Sequence, residues 1–371
     1  GLGETRPTLA VDIPSGVDAS TGAILGRAVR ADLTATFGLP KLGHVLFPGA
    51  ERAGRLVVVD IGIPEAYVSA AGIPDAIVTR GDALGAVPDR PRDAHKGTFG
   101  HLLVVAGSPG KTGAAAMCAQ AAMRVGTGLV TLAAPESVVP VLAAKLTEVM
   151  CEAVAETDAR TLGRKAIERI SALSEGKSAL ALGPGLSTHP ETAELVLHLA
   201  RTEERPLLLD ADALNALAGR PAALENCPGP RVLTPHPGEM GRLCRTDAKR
   251  VNGDRIGTAR DFARTHGVIV VLKGAHTVIA APDGEARVNL TGNPGMASGG
   301  MGDALSGVIA GFLAQGVRPF EAACLGVYLH GLAGDLAARA RGRAGLLATD
   351  VIDTLPRTID ALLAGRADAP F

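Results

Sequence analysis

Apolar residues in this chain cluster in short runs bounded by glycine, proline or charge, and the runs recur with helix-length amphipathic stretches between them. Near the start, residues 8–12 (TLAVD), 33–37 (LTATF) and 56–60 (LVVVD) predict buried parallel strands. Too few elements precede Leu9 to complete a sheet, so this segment is expected to be the remnant of a domain. The stretch from Ile61 to Asp75, with Pro64, Gly72 and Pro74, has the composition of a boundary.

Beyond it the alternation becomes regular. Strands are predicted at 101–106, 128–133, 178–183, 206–210, 231–234 and 267–272, and the spacing between them predicts a mainly parallel α/β sheet with helices on both faces. Residues 276–290 differ: two β-rich runs flank Pro282-Asp283-Gly284, a hairpin signal. A long Ala- and Gly-rich helix from about Ala304, with two more after Arg318, completes the pattern.

Composition narrows the function. With 37 basic and 38 acidic residues the net charge is −1, which gives no long-range field toward nucleic acid or an anionic membrane. The chain has no Trp, two Tyr and seven Phe, too few aromatics for base-stacking platforms. Any anionic ligand must be held locally. The five cysteines are widely spaced without a CxxC pair, which argues against a disulfide framework or zinc and for a reduced, cytoplasmic setting. The sequence has neither a membrane-length apolar run nor a charged-then-apolar leader; it opens on Gly1, and its natural start is expected upstream.

The sharpest chemical signal is Gly292-Asn293-Pro294-Gly295-Met296-Ala297-Ser298-Gly299-Gly300-Met301-Gly302-Asp303, followed at once by helix-forming ALSGVIAGFL. Glycines allow close backbone approach, and a helix start offers free N–H groups and a positive dipole end, so Gly299, Gly300, Met301 and Gly302 are candidates to hold a phosphate or developing oxyanion. Asp303 stands at the helix start either as a base for a hydroxyl in phosphoryl transfer or as a simple helix cap. Gly110-Lys111-Thr112 suggests a Walker A loop, but that motif needs Gly where this chain has Val105.

A GGxGD loop opening a long helix resembles the ribokinase superfamily, and NPGMASGGMGDALSG resembles its NAD(P)H-hydrate dehydratase branch. Five further motifs fall in matching order: His95 to Gly100, Gly183 to Leu186, Leu209 to Leu214, Thr234-Pro235-His236-Pro237-Gly238-Glu239 and Lys273 to Thr277. The resemblance implies a ribokinase-like dehydratase domain over 75–371, using ADP (or ATP) with Mg²⁺. In it Lys273, Gly274, Ala275, His276 and Thr277 would contact the adenine nucleotide and Gly302 its phosphate end. Ala114, Gly185, His236 and Asp303 would contact the hydrated dinucleotide, and relatives assemble as homo-oligomers, so a tetramer or larger is expected. The residues also have readings of their own. The glycines of Gly183-Pro184-Gly185 would let a flat ligand lie against the backbone, unless they only make a turn. His236 follows a strand end, where open α/β sheets bind ligands. Glu239 would hold Mg²⁺ through water or cap a helix, and for Asp210 and Asp212 a metal or polar role competes with capping.

The first segment carries a second resemblance. Val11-Asp12-Ile13-Pro14-Ser15-Gly16-Val17-Asp18, Phe37 to His44 and Asp60 to Pro64 resemble the end of an NAD(P)H-hydrate epimerase domain. Residues 1–70 are thus expected to be its incomplete C-terminal part. The resemblance implies that Asp12 contacts the hydrated cofactor and that Ser15 ligates K⁺; as strand-end residues both also suit caps. Two other functions fit the loop alone: a vitamin-precursor kinase of the hydroxymethylpyrimidine or hydroxyethylthiazole type, and a non-catalytic nucleotide sensor.

Overall fold

A computed structural model describes residues 6–365. The chain divides into two compact units, one running to Ala76 and including 252–254, the other 77–251 and 255 onward.

In the first unit β1 (Leu9–Val11), β2 (Leu33–Phe37) and β3 (Arg55–Val59) form a parallel sheet in that order. The strands lie where the apolar runs predict them, but they are not buried on both faces. Ala10 is buried, whereas Leu9 and Val11 are 60% and 65% exposed. Successive side chains point to opposite faces, and a parallel strand is buried throughout only when both faces are covered. The unit's helices, Leu42–Val45, Ala50–Ala53 and Glu65–Ala70, are too short for that.

The second sheet has ten strands: β4 (Asp75–Ile77), β5 (His101–Val105), β6 (Leu129–Pro135), β7 (Met150–Val154), β8 (Ala179–Leu182), β9 (Leu207–Leu209), β10 (Arg231–Leu233), β11 (Ile269–Leu272), β12 (Val278–Ala280) and β13 (Ala286–Val288). Their spatial order is β4-β13-β12-β11-β10-β9-β8-β5-β6-β7. β5 to β11 pair in parallel, and β11, β12 and β13 pair antiparallel, with the predicted hairpin turning at Pro282 to Gly284. Two strands, β4 and β7, have no counterpart in the sequence pattern. β7 reads MCEAV, with burial rising only at its last residue, and lacks the solid apolar run that marks its neighbours.

The order reverses at β5: the chain moves from β5 to β6 and β7 on one side, then returns to place β8 on the other. Loops at such a reversal part around a crevice at the carboxyl ends of the strands, the usual ligand position in open α/β sheets. Here they are tied across it, by Gly107 N–H to Pro184 C=O at 3.0 Å and Ser108 Oγ to Gly185 C=O at 2.8 Å.

Helix Met301–Ala314 begins three residues before the expected start, and from Ala304 to Ala314 every residue is buried. Its small residues are explained by its crossing of helix Thr112–Arg124. A Cβ on Gly307 would lie 2.0 Å from the Cys118 carbonyl oxygen, so only glycine permits this approach. Among the described residues no helix is long and apolar enough to cross a membrane.

Two glycine substitutions separate propensity from packing. Gly307→Ala should destabilise the protein by about 1–3 kcal/mol through overpacking, even though alanine is favoured in a helix by roughly 1 kcal/mol. Gly85→Ala, in helix Arg80–Ala86 with open space around the added methyl, should be neutral or stabilising. Urea midpoints of the two variants measure the difference.

Candidate active site

Three consecutive strands deliver the polar groups. Asp210 follows β9, Thr234 and His236 follow β10, and Lys273 follows β11, so the parallel register sets them side by side at one edge of the sheet. Asp210 is 1% exposed. Its Oδ1 accepts from Lys273 Nζ at 2.7 Å and its Oδ2 from Ser306 Oγ at 2.8 Å. It is therefore neither a helix cap nor a surface carboxylate but the acid of a buried ion pair bolted to the glycine-loop helix.

Gly183 makes that placement possible. Its φ is +134°, and a Cβ there would come within 1.8 Å of the Asp210 carbonyl oxygen. At Gly185 the Cβ would meet the Lys111 backbone oxygen at 2.8 Å and the Ala114 methyl at 3.2 Å. The space a side chain would take at either glycine is filled by neighbouring loops, so close packing by itself requires glycine at both positions. The same geometry brings Ala114 and Gly185 together.

The glycine loop is anchored at its flanks. Asp335 accepts from Gly292 N–H and Asn293 Nδ2, both at 2.9 Å, and Ser298 Oγ donates to the Leu346 carbonyl at 3.0 Å. Between the anchors Ala297, Ser298 and Gly299 are exposed, and the space beside Gly299 is open. Gly300 adopts the left-handed conformation (φ +89°) as the helix N-cap. The helical ladder starts with Ala304 N–H bonded to Gly300 C=O, so the amides of Met301, Gly302 and Asp303 lie ahead of it. Lys273 Nζ reinforces this positive end, lying 3.3 Å from where a Gly302 Cβ would be.

Asp303 occupies the first turn of this helix, whose N-cap is Gly300 and which has no side-chain cap bond. Burial raises its pKa, the Asp210 charge raises it further, Lys273 opposes, and the result is about 6. Lys273 is pulled down by burial, yet the charges of Asp210 and Glu239 prevail and hold its pKa above the ordinary lysine value.

His236 caps helix Pro237–Leu243, its Nδ1 accepting from Gly238 and Glu239 N–H at 3.0 and 3.3 Å. Burial, then the Lys273 and Arg242 charges, lower its pKa, so it is neutral with the proton on Nε2. Glu239 returns the cap, accepting from His236 N–H at 2.8 Å, and burial raises its pKa. Of the two roles the sequence leaves open for Glu239, the capping one is present. The turn after β11 carries Gly274, Ala275, His276 (φ +55°) and Thr277, whose Oγ1 donates to Gly274 C=O at 3.1 Å. Asp212 takes an ion pair from Lys111.

Asp12 and Ser15 belong to the first unit. Asp12 Oδ1 accepts from Lys41 Nζ at 2.6 Å, Thr36 Oγ1 and Phe37 N–H, and the Lys41 bond leads in lowering its pKa. Ser15 is exposed in a turn.

Sequence reading does not find Ser306 or His330. Ser306 stands one turn beyond Asp303, a spacing that could have flagged it. His330, on helix Pro319–Arg341, bonds the Met301 backbone, and burial pushes its pKa down to about 4. Its proximity in space leaves no mark in local sequence.

The family described as NAD(P)H-hydrate dehydratase matches residues 102–357, and the YjeF-related protein N-terminus matches residues 3–43. The bifunctional NAD(P)H-hydrate repair enzyme Nnr of Moorella thermoacetica is 48% identical over 351 residues, covering 95% of this chain and 66% of that relative. The chain thus spans just under two thirds of that relative's length. The ADP/ATP-dependent NAD(P)H-hydrate dehydratase of Bacillus subtilis, co-crystallised with ATP/Mg²⁺, superimposes with a TM-score of 0.69 at 33% identity, over 77% of this chain and 98% of its own. A hydroxyethylthiazole kinase from Pyrococcus horikoshii shares the fold at a TM-score of 0.51 and 12% identity, over 74% of this chain and 92% of its own.

The ion-pair geometry predicts how Asp303 titrates. Its carboxyl should titrate near pH 6 by carbon NMR, and Asp210→Asn should move that titration down toward the ordinary 3.8 by removing the nearest negative charge while leaving Lys273 positive. An unmoved titration would mean that burial and the remaining charges, not Asp210, set the value.

Proposed function

The chain belongs to the NAD(P)H-hydrate dehydratase family, and from that premise we propose that it dehydrates the S epimer of NADHX or NADPHX with an adenine nucleotide as phosphoryl donor. The observation that carries the reading is one helix start where leading amides, the Lys273 ammonium and an Asp303 carboxyl of pKa about 6 converge. An anion and a proton acceptor are thereby served together.

The chemistry follows from the leaving group. Hydroxide departs poorly from the hydrated ring, whereas phosphate departs readily. In this reading Asp303 accepts the hydroxyl proton as the ring oxygen attacks the terminal phosphorus, and AMP leaves from ADP, or ADP from ATP. Phosphate then departs with the carbon–oxygen electron pair, the neighbouring ring carbon loses a proton to solvent, and the electron pair of that carbon–hydrogen bond closes the ring double bond. The amides of Gly299, Gly300, Met301 and Gly302, with Lys273, take the charge on the transferring group; loss of one such donor typically costs about 100- to 1,000-fold in rate. Ala114, Gly185 and His236 are assigned to the hydrated dinucleotide, and Lys273, Gly274, Ala275, His276 and Thr277 to the nucleotide. Among the described residues no group of three or more His, Cys, Asp and Glu side chains is placed to hold a metal. Mg²⁺ is assigned to the nucleotide substrate, whose phosphates supply oxygen ligands.

Residues 1–70 are assigned to the C-terminal part of an NAD(P)H-hydrate epimerase domain and 75–371 to the dehydratase domain. The Asp12 substrate contact, the K⁺ role of Ser15 and homo-oligomeric assembly rest on the family resemblance, and the cytoplasmic setting on the five widely spaced cysteines. A vitamin-precursor kinase shares the glycine loop and the fold, but would leave a phosphorylated organic product.

Asp303→Asn tests the reading in an assay with NADHX, Mg²⁺ and ADP or ATP, following the return of reduced-nicotinamide absorbance. Turnover should fall by about 100-fold or more while nucleotide affinity is kept. Near-wild-type turnover in the variant, or accumulation of a phosphorylated product by the wild type, would refute it.

The pH profile gives a separate check. A base must be ionised to accept a proton, so wild-type kcat should fall on acidification through about pH 6, provided the bound substrates leave the Asp303 pKa near its free value. Stability runs the other way. The folded state holds a proton on Asp303 between 3.8 and about 6 that the unfolded chain releases, so this group's contribution to stability declines as pH rises through that window. Asp303→Asn should therefore raise the melting temperature at pH 7.5.

A further inference from the structure

Beside the proposed reaction centre runs a hydrogen-bonded chain of four side chains that the mechanism does not use. Lys111 Nζ meets Asp212 Oδ2 at 3.0 Å, an oxygen that also accepts from Ser187 N–H at 2.8 Å. Asp212 Oδ1 accepts from Asn215 Nδ2 at 3.2 Å, and Asn215 Oδ1 accepts from Arg242 Nε and Nη2 at 3.1 and 2.8 Å. One end lies against Gly185, where the Lys111 Cβ would be 2.9 Å from a Gly185 Cβ. The other lies by His236: Arg242 Nη1 is 3.9 Å from the Cβ position of Gly238, the residue whose amide bonds His236, and the Arg242 charge helps keep His236 neutral. Two cations are thus set at the two ends of the group Ala114, Gly185 and His236.

Stability does not account for this arrangement. The Lys111 side chain is half exposed and Arg242 is exposed, and ion pairs of that kind contribute about 0–1 kcal/mol. Asp212, in contrast, is only 12% exposed and fully engaged, so it works as a fixed bracket, with Asn215 orienting the planar guanidinium. With one ammonium hydrogen on Asp212, Lys111 keeps two donors for a ligand carrying two negative charges, which also meets the guanidinium that Asn215 holds.

We propose that Lys111 and Arg242, positioned by Asp212 and Asn215, bind the pyrophosphate bridge of the substrate and so select dinucleotide hydrates over smaller nicotinamide hydrates. This rests on the dehydratase reading, and it adds a second anion site, separate from the one at the glycine loop, for the half of the substrate that does not react.

The test compares two substrates on the full chain: NADHX, and the hydrate of reduced nicotinamide riboside, which has no phosphate. Lys111→Met and Arg242→Met should each raise the KM for NADHX about tenfold, the effect of losing one charge-assisted hydrogen bond. Assayed at about pH 8.5, where His236 is neutral without the Arg242 charge and Asp303 is ionised without the Lys111 charge, they should leave kcat, the KM for ADP and kcat/KM for the riboside hydrate within about twofold. Lys111→Arg should restore most of the NADHX affinity, and Asn215→Ala should weaken it through Arg242 with the same substrate pattern. Unchanged KM for NADHX, equal losses on both substrates, or a rise in the KM for ADP instead would overturn the assignment while leaving the dehydratase reading intact. A wild type that restores neither hydrate would overturn both.

Discussion

Everything at the sheet edge depends on the buried pair between Asp210 and Lys273. Taking two charges out of water is costly unless geometry and further hydrogen bonds compensate, and here each partner has a second tie. Asp210 is also held by Ser306, and Lys273 lies 3.9 Å from Glu239. The pair therefore joins the ends of β9 and β11 to the first turns of helix Met301–Ala314. Because the helix is anchored through Ser306, its leading amides point to a fixed place relative to the strands. Removing Lys273 would leave Asp210 buried with only the Ser306 hydroxyl, and removing Asp210 would leave Lys273 with only the longer contact to Glu239, so the pair is better understood as a device for position than as a source of stability.

The same pair sets the acid–base character of Asp303. That carboxyl sits in a field made by Asp210, Asp212 and Glu239 on one side of the balance and Lys273 on the other, and burial adds to the first. A helix start ordinarily favours an ionised carboxylate. Asp303 shows the opposite tendency, because lost hydration and the Asp210 charge, with smaller contributions from Asp212 and Glu239, outweigh the Lys273 ammonium. A group tuned against its own ionisation weakens the fold at neutral pH, and such local conflict is characteristic of functional positions. Ala211, between Asp210 and Asp212, is a second instance: it holds φ +49° without being glycine.

The sequence makes the architecture legible because parallel strands buried on both faces leave solid apolar runs, as at HLLVV, ALAL and IVVL. It loses β7, whose sequence MCEAV interrupts the apolar run with Glu152, and it mistakes β1 for a strand covered on both faces. At the site, Asp303 and the glycine loop stand out because the motif is contiguous. Ser306, Asn215, Arg242 and His330 do not, because each matters through a partner far away in sequence: Ser306 and Asp210 are 96 residues apart, Asn215 and Arg242 27. The glycines teach the same lesson. A pattern shows where side chains are missing, but only the fold shows whether the vacated space faces a ligand or, as at Gly183, the carbonyl of a neighbouring strand end.

Net charge over the whole chain is −1, so attraction for any anionic ligand has to be local. The site meets that need by separating its charges according to depth. Asp210 and Glu239 are buried and bonded, holding Lys273 and the His236 turn in place, while Lys111 and Arg242 reach the exposed mouth. Carboxylates engaged in this way present little free negative charge outward, whereas the side chains of Lys111 and Arg242 are exposed. Counting charges would call the cluster balanced. What an approaching phosphate meets is set by which groups are turned outward, and that follows from the order of β9, β10 and β11 and from the helix that Asp210 holds against them.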